Sequence, residues 1–303
     1  MNRIPAALRR KPLLLTLAAL LPLALAAPAQ AGWFSPEHGG SPNADRINDL
    51  WWVIFAIALV IFAIVMGALI YSLVKFREKK GAVPAQIRGN TRLEIGWTVA
   101  AALILVVLAV VTFIDLPGIE DPENSTAAIP KVANGALLAS SPTKRLPPNG
   151  KSLNICVNGQ QYVWRYTYSN DCVHSDFKAP FAYETMVVPV DTTVTLDITG
   201  QDVIHSWWIP KLGGKFDGVP GYMNHTWFKI PGKLAGTTFH GQCAELCGRN
   251  HADMVADVKA VTPSEFEAWI GQQTSNIAAA DAAAEQQRKQ YEQQTTTTTT
   301  TAP

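Results

Sequence analysis

The sequence predicts an α+β protein anchored in a membrane, with a hairpin of two transmembrane helices followed by an all-β Greek-key sandwich. Two uncharged apolar runs, 51–74 and 95–114, are each long enough to cross a bilayer core of about 30 Å. Beyond residue 150 the pattern becomes two-residue alternation broken by Gly, Pro and Asp, which is typical of short strands in a sandwich or barrel. The formal net charge of the 303 residues is only +1, which argues against a nucleic-acid-binding protein.

The N-terminal residues 1–31 have the features of a secretory signal peptide. Arg9, Arg10 and Lys11 precede an apolar run, and the small residues around Ala31 form a cleavage site. An uncleaved first membrane helix is the alternative, but Pro22 and the short run favour a signal peptide. Export places the rest of the chain in an oxidising compartment.

The transmembrane hairpin is predicted over 51–115, after an exported and loosely structured lead over 32–50. Aromatic residues near the ends of the first run suit the membrane interface. The loop between the runs is rich in basic residues: Lys75, Arg77, Lys79, Lys80, Arg88 and Arg92. Because positive residues stay on the cytoplasmic side, we expect a multi-pass protein of the cell membrane with a cytoplasmic hairpin tip and both flanks outside.

The exported part divides into three segments. Residues 116–150 are rich in Pro, Ser and Asn and are interpreted as a linker. Residues 151–271 carry the strand pattern and end in a short helix, which the capping box Thr262-Pro-Ser-Glu265 starts. Residues 272–303, dominated by Ala, Gln and Thr, predict a low-complexity disordered tail.

A loop rich in sulfur and imidazole is the most informative stretch. It carries Cys243, Cys247, His251 and Met254, and His205 is the best additional donor from elsewhere in the chain. Thiolate, imidazole and a weak thioether are the donors that suit copper. Zinc would use four of these donors without the thioether, and a disulfide between the cysteines would leave His251 and Met254 without a role.

The donor count distinguishes one copper from two. A mononuclear blue-copper site takes one Cys, two His and a weak Met. The second thiolate here allows both sulfurs to bridge a metal pair, with one imidazole for each metal. Such a pair shares one unpaired electron with little geometric change, which suits the transfer of single electrons.

The segment from Gln242 to Met254 resembles the copper loop of cytochrome c oxidase subunit II. The resemblance extends over roughly residues 45–270 and includes the His205-Ser-Trp motif, the stretch from Asp217 to Gly221 and the Gly159-Gln-Gln161 stretch. It implies a cupredoxin-like domain holding two copper ions, a dinuclear copper A centre. The partners implied are subunit I, the other oxidase subunits and cytochrome c as electron donor.

Site residues follow from the resemblance position by position. His205 and His251 would be the imidazole ligands, Cys243 and Cys247 the bridging thiolates, and Met254 the thioether. Glu245 would give its backbone carbonyl to copper and its carboxylate to Mg²⁺ or Mn²⁺ at the boundary with subunit I. Glu94, at the start of the second apolar run, matches a glutamate at the mouth of a proton-uptake path; a carboxylate there also suits the helix dipole.

Three further features remain open. Relatives commonly carry Trp where this chain has Tyr162, so Tyr162 and Trp164 are candidates for electron entry, with packing of an aromatic strand face as the alternative. Cys156 and Cys172 are expected to form a structural disulfide, with free packed thiols as the alternative. Candidates for an acidic surface that meets the donor, with an ordinary solvated face as the alternative, are Asp171, Asp176, Glu184, Asp202 and Asp217.

The function predicted is the electron-entry subunit of a proton-pumping cytochrome c oxidase, with O₂ reduced in subunit I. The sequence lacks a Cys-x-x-Cys-His motif, so we expect no haem in this chain. A membrane-anchored copper chaperone is the alternative from another class, but it needs an exposed, exchangeable site. The quinol-oxidase branch lacks the copper ligands, and nitrous oxide reductase adds a large catalytic domain.

Overall fold

A computed structural model of the chain describes most of residues 34–300. Not described within that range are residues 78–80, 82, 84–85, 128–130, 133–134, 137–145 and 174–177. The predicted signal peptide, 1–31, lies outside the described residues, as do the hairpin-tip residues Lys79 and Lys80 and much of the predicted linker.

Two long helices confirm the predicted hairpin. Helix α1 spans Pro42–Lys75 and helix α2 spans Thr91–Glu120, and both are long and apolar enough to cross a membrane. Their apolar side chains are largely exposed, as expected for surfaces that face lipid or a partner. At 1.5 Å per residue the 34 residues of α1 extend about 51 Å, well beyond a bilayer core of about 30 Å.

The first turns of α1 correct the expectation of a loose lead over 32–50. Pro42 occupies the first turn, where its missing N–H costs no helical hydrogen bond, and Asp45 complements the helix dipole. Nδ2 of Asn43 donates to the carbonyl of Trp227 at 2.8 Å, and Ala44 is buried. Part of the lead is therefore ordered because it packs against the β domain.

The β domain is also tied to the second helix. The indole Nε1 of Trp227 donates to the carbonyl of Ile119 at 2.9 Å, and the Lys229 amide donates to Oγ of Ser41 at 3.0 Å. Arg46 of α1 and Asp115 of α2 form an ion pair with 3.7 Å between charged atoms. These contacts hold the β domain against one end of the hairpin, where α1 begins and α2 ends.

The β domain is a sandwich of two five-stranded sheets, as predicted. A two-stranded pair, β1 Lys131–Val132 and β2 Gly135–Ala136, precedes the sandwich and lies in the segment predicted as a linker. The ten strands of the sandwich are β3 Leu153–Gln160, β4 Val163–Thr167, β5 Phe181–Tyr183, β6 Thr185–Pro189, β7 Thr193–Gly200, β8 His205–Trp208, β9 Phe216–Gly218, β10 Asn224–Lys229, β11 Thr238–Cys243 and β12 Val255–Val261. The first sheet has the order β10-β7-β3-β4-β5 and the second has the order β6-β12-β11-β8-β9.

The core forms where the inward faces of the two sheets meet. Ile155 and Leu196 of the first sheet and Val258 of the second have no exposed surface. These residues alternate with polar ones along their strands, so the predicted two-residue period places them between the layers. The sandwich core includes the copper-loop cysteines at one end.

Helix α3, Pro263–Thr300, closes the domain. Its predicted capping box is present: the Thr262 amide donates to Oε2 of Glu265 at 2.8 Å, and the Glu265 amide donates to Oγ1 of Thr262 at 3.3 Å. Phe266 is fully buried, with its ring 5.9 Å from that of Tyr168. The cap and this aromatic contact hold the start of the helix against the sandwich.

The same helix differs from the expectation of a disordered tail over 272–303. Helical backbone continues without a break from the closing helix to Thr300. Ala, Gln, Glu and Lys have high helix propensity, and Glu285 and Lys289 pair at 2.8 Å one turn apart. The prediction of disorder rests on the low hydrophobicity of this segment. Low hydrophobicity indicates that the segment buries no core, but it does not exclude a helix whose residues favour helix locally.

Candidate metal centre

Sheet pairing brings His205 to the copper loop. His205 is the first residue of β8, and Cys243 is the last residue of the neighbouring β11, where it pairs with Trp207. The Ala244 amide then donates to the carbonyl of Ser206 at 2.8 Å. Two segments 38 residues apart therefore place imidazole and thiol side by side.

The loop between β11 and β12 returns to its starting point. The Cys243 amide donates to the carbonyl of Met254 at 2.9 Å, which closes the loop at its base. A short 3-10 turn, His251–Asp253, precedes Met254. The residues between are thereby folded over the end of the sandwich, and the side chains of Cys247 and His251 lie within 4 Å of other donor side chains there.

Five donor atoms converge in this loop. The sulfurs of Cys243 and Cys247 are 3.8 Å apart. Nδ1 of His205 lies 3.9 Å from the Cys243 sulfur, and Nδ1 of His251 lies 3.5 Å from the Cys247 sulfur. Sδ of Met254 lies 3.8 Å from the Cys247 sulfur. Metal bonds of about 2.0–2.3 Å allow two ligands of one ion to be up to about 4.6 Å apart, so this spacing fits shared metal ions.

Four of the five donor residues are buried, and His251 is partly exposed. His205 and Met254 have no exposed surface, and Cys243 and Cys247 are 2% and 4% exposed. Burial raises the pKa of the Cys247 thiol to about 11, and the neighbouring Cys243 adds to the effect. A positive metal ion reverses this preference, because a coordinating thiol is held as the thiolate.

The donor chemistry selects among the interpretations that the sequence leaves open. The sulfur separation of 3.8 Å is far longer than a disulfide bond of about 2.05 Å, and both cysteines are free thiols. The thioether of Met254 points at the same centre, which favours copper over zinc. The backbone carbonyl of Glu245 lies 3.3 Å from the Cys243 sulfur, whereas the carboxylate of Glu245 is exposed.

Asp202 orients the His205 ring. Oδ1 of Asp202 lies 2.8 Å from Nε2 of His205, which leaves Nδ1 facing the sulfurs. Partial burial raises the pKa of Asp202, but hydrogen bonds from the Gln161 amide, His205 and the Val203 amide outweigh it, and the net pKa is lowered. The sequence suggests only a surface role for Asp202; its position three residues before His205 is the signal for this contact.

The aromatic candidates for electron entry occupy different environments. Trp164 is fully buried, and its ring makes an edge contact with the His205 ring at 5.8 Å. Gly159 makes room for this contact, because a Cβ there would lie 2.9 Å from Trp164 and 3.0 Å from His205. Tyr162 is half-buried, and its hydroxyl accepts from the Arg249 amide at 3.0 Å.

The remaining site candidates lie away from this cluster. Glu94 is exposed in the first turn of α2, and its Oε1 lies 3.3 Å from the Asn90 amide. Cys156 of β3 and Cys172, in the segment that follows β4, are joined by a disulfide bond. The buried carboxylate of Asp197 lies 3.3 Å from the Cys172 sulfur and 2.6 Å from Nδ1 of His225.

Comparison with known proteins gives consistent matches. The family model for the periplasmic domain of cytochrome c oxidase subunit II matches residues 153–261, and the model for its transmembrane domain matches residues 29–114. Cytochrome c oxidase subunit 2 of Cereibacter sphaeroides is 32% identical over 274 residues, covering 80% of this chain and 81% of that protein.

Two further matches cover different parts of the chain. Cytochrome c oxidase subunit 2 of Alkalihalophilus pseudofirmus is 31% identical over 78% of this chain, and the match spans only 61% of that longer protein. The periplasmic domain of subunit II of cytochrome oxidase of Bradyrhizobium japonicum is 32% identical and covers 42% of this chain and 96% of that structure, with a TM-score of 0.37.

The helices, the sandwich and the buried donors define a class: a membrane-anchored protein with a cupredoxin-like domain and a candidate site for a soft metal. The family matches narrow the class further. The chain belongs to the cytochrome c oxidase subunit II family, the second subunit of haem-copper oxidases.

Proposed function

We propose that this chain is the electron-entry subunit of a cytochrome c oxidase. It would accept electrons from cytochrome c and deliver them to haem in subunit I, where O₂ is reduced to water with proton pumping. The observation that carries the proposal is the convergence of two thiols, two imidazoles and a thioether within one buried cluster. A copper pair bound there supplies one-electron transfer.

The chain's own residues would hold that pair in a fixed geometry. Cys243 and Cys247 would bridge the metals, since their sulfurs are the central atoms of the cluster. His205 and His251 would each donate through Nδ1, and Asp202 would fix the His205 ring from its far side. The backbone carbonyl of Glu245, near the Cys243 sulfur, and the thioether of Met254, near the Cys247 sulfur, would complete the donor set.

Burial is what makes these residues suited to electron transfer. Donors fixed by strand pairing cannot rearrange much between oxidation states, so the reorganisation that slows electron transfer is small. The transfer of single electrons also needs no open position for a substrate. A chaperone needs an exposed and exchangeable site, and the buried sulfurs of Cys243 and Cys247 do not provide one.

The remaining assignments of the proposal concern the partner subunit and the membrane. The exposed carboxylate of Glu245 would hold Mg²⁺ or Mn²⁺ together with subunit I. Glu94 would open a proton path on the cytoplasmic side, and Tyr162 and Trp164 would lie near electron entry. The basic loop between the apolar runs supports a cytoplasmic hairpin tip and an outer, periplasmic copper domain.

Copper binding to the full-length chain in detergent tests the proposal. We expect two copper ions per chain and an electron paramagnetic resonance spectrum in which one unpaired spin is shared by both nuclei. Cys247→Ser should abolish that spectrum, whereas Cys156→Ser, which affects the disulfide, should retain it. A mononuclear blue-copper spectrum, or a chain without copper after loading, would exclude the proposed function.

A further inference from the structure

The turn between β3 and β4 lies directly against the copper loop. Nε2 of Gln161 donates to the carbonyl of Cys247 at 2.6 Å. The Arg249 amide donates to the hydroxyl oxygen of Tyr162 at 3.0 Å. Two adjacent residues of the turn thus engage the loop on both sides of Gly248, between the ligands Cys247 and His251.

Gly248 shows how close this approach is. A Cβ added to Gly248 would lie 2.6 Å from the Tyr162 hydroxyl oxygen and 2.9 Å from Nε2 of Gln161. Its φ of +134° is also a backbone conformation that other residues rarely adopt. The loop can meet the turn in this way only because a glycine follows Cys247.

The same turn also contacts the segment that carries the other imidazole. The Gln161 amide donates to Oδ2 of Asp202 at 2.8 Å, and Oδ1 of Asp202 holds Nε2 of His205 at 2.8 Å. Parallel pairing of β3 with β7 sets this contact, because it places Gly159 opposite Gly200. The turn therefore bridges the two parts of the donor set, the loop and the His205 segment.

We propose that Gln161 and Tyr162 are positioning residues that clamp the copper loop onto the His205 segment. Tyr162 acts through its hydroxyl oxygen as an acceptor, a role that a Trp at this position could not fill because an indole N–H only donates. The proposed effect of the clamp on a metal site rests on the proposed function. The hydrogen bonds of the clamp are present in the metal-free chain. It is separate from any transfer of electrons through the aromatic ring.

The first test measures backbone amide exchange of Arg249 in the full-length, metal-free chain in detergent. Tyr162→Phe and Tyr162→Trp both remove the acceptor, so we expect this amide to exchange about fivefold faster, which corresponds to the loss of one net hydrogen bond. Tyr222→Phe is the matched control, because Tyr222 is exposed and lies outside the loop. Equal Arg249 exchange in the wild type and both Tyr162 variants would overturn the clamp.

The second test measures the copper-loaded chain. Release of copper to a chelator should be several-fold faster in Tyr162→Phe, and the paramagnetic spectrum of this variant should shift. The reason is that the loop carries three proposed side-chain ligands after Cys243, namely Cys247, His251 and Met254. Gln161→Met, which keeps side-chain length but removes the donor to Cys247, should act in the same direction and serves if a Tyr162 variant fails to fold. Unchanged release and an unchanged spectrum in these variants would overturn the clamp.

The two tests separate the clamp from the proposed function. A wild-type chain that binds no copper pair, but whose Arg249 amide is protected by Tyr162, would remove the electron-entry proposal and retain the clamp. A wild-type chain with the expected copper spectrum but an unprotected Arg249 amide would retain the electron-entry proposal and remove the clamp.

Discussion

The carboxylate of Asp202 holds the far nitrogen of His205, with 2.8 Å between Oδ1 and Nε2, while Nδ1 of the same ring lies 3.9 Å from the Cys243 sulfur. A hydrogen bond on one ring nitrogen decides which nitrogen is free to bind a metal. In this chain it leaves Nδ1 as the nitrogen that is available to a metal ion. The contact thus joins a surface carboxylate to the buried donor cluster.

Asp202→Asn should weaken copper binding by about tenfold, because outer partners of a ligand histidine are worth about 10–100-fold in metal affinity. The amide keeps the shape of the side chain but has one acceptor for donors from His205, Gln161 and Val203. Competition with a chelator measures the affinity. Asp217→Asn is the control: Asp217 is an exposed residue on β9, and its substitution should leave the copper affinity unchanged.

Met254→Leu should retain copper but raise the reduction potential of the site. Leu fills the buried volume of Met at a cost below about 1.5 kcal/mol, yet it removes the thioether whose sulfur lies 3.8 Å from that of Cys247. Loss of a donor disfavours the more highly charged oxidised form. A redox titration of the full-length chain measures the potential, and an unchanged value would mean that Met254 is not a ligand.

Glu265→Gln should reduce the pH dependence of domain stability in acid. Hydrogen bonds from the Thr262 amide and hydroxyl lower the pKa of Glu265. A lowered folded pKa stabilises the fold above the unfolded pKa of about 4.3, and this contribution is lost as the pH falls through the folded pKa. Denaturant unfolding between about pH 3 and pH 7 measures the effect.

Glu267→Gln is the control for this change. Glu267 is exposed two residues further along α3, away from the capping position. If both variants have the same acid dependence of stability as the wild type, the cap does not contribute to it.

Phe266→Ala should destabilise the β domain by about 3–5 kcal/mol, because it removes a fully buried ring that packs against Tyr168. Denaturant unfolding measures this loss, and Glu267→Ala on the exposed face is the comparison. The copper spectrum of the folded Phe266→Ala chain should match the wild type. A changed spectrum would show that this aromatic contact also shapes the donor cluster.

Several parts of the fold follow from local pattern and were predictable. The apolar runs indicate α1 and α2, and two-residue alternation indicates strands such as β4 and β7. The start of α1 and the length of α3 differ from the prediction for different reasons. The first depends on Asn43 meeting Trp227, a contact 184 residues apart, and the second on helix propensity in a polar segment.

The sequence by itself determined the donor set, because the thiols, an imidazole and the thioether stand at short fixed spacings in one loop. The donor chemistry of these side chains is known from their residue types without knowledge of the fold. Only the tertiary structure decided how the donors are held. Gln161 and Tyr162 reach the loop, and Asp202 reaches His205, through the parallel pairing of β3 with β7 and the pairing of β8 with β11. Such contacts join residues up to 87 positions apart, and no local pattern along the chain encodes that distance.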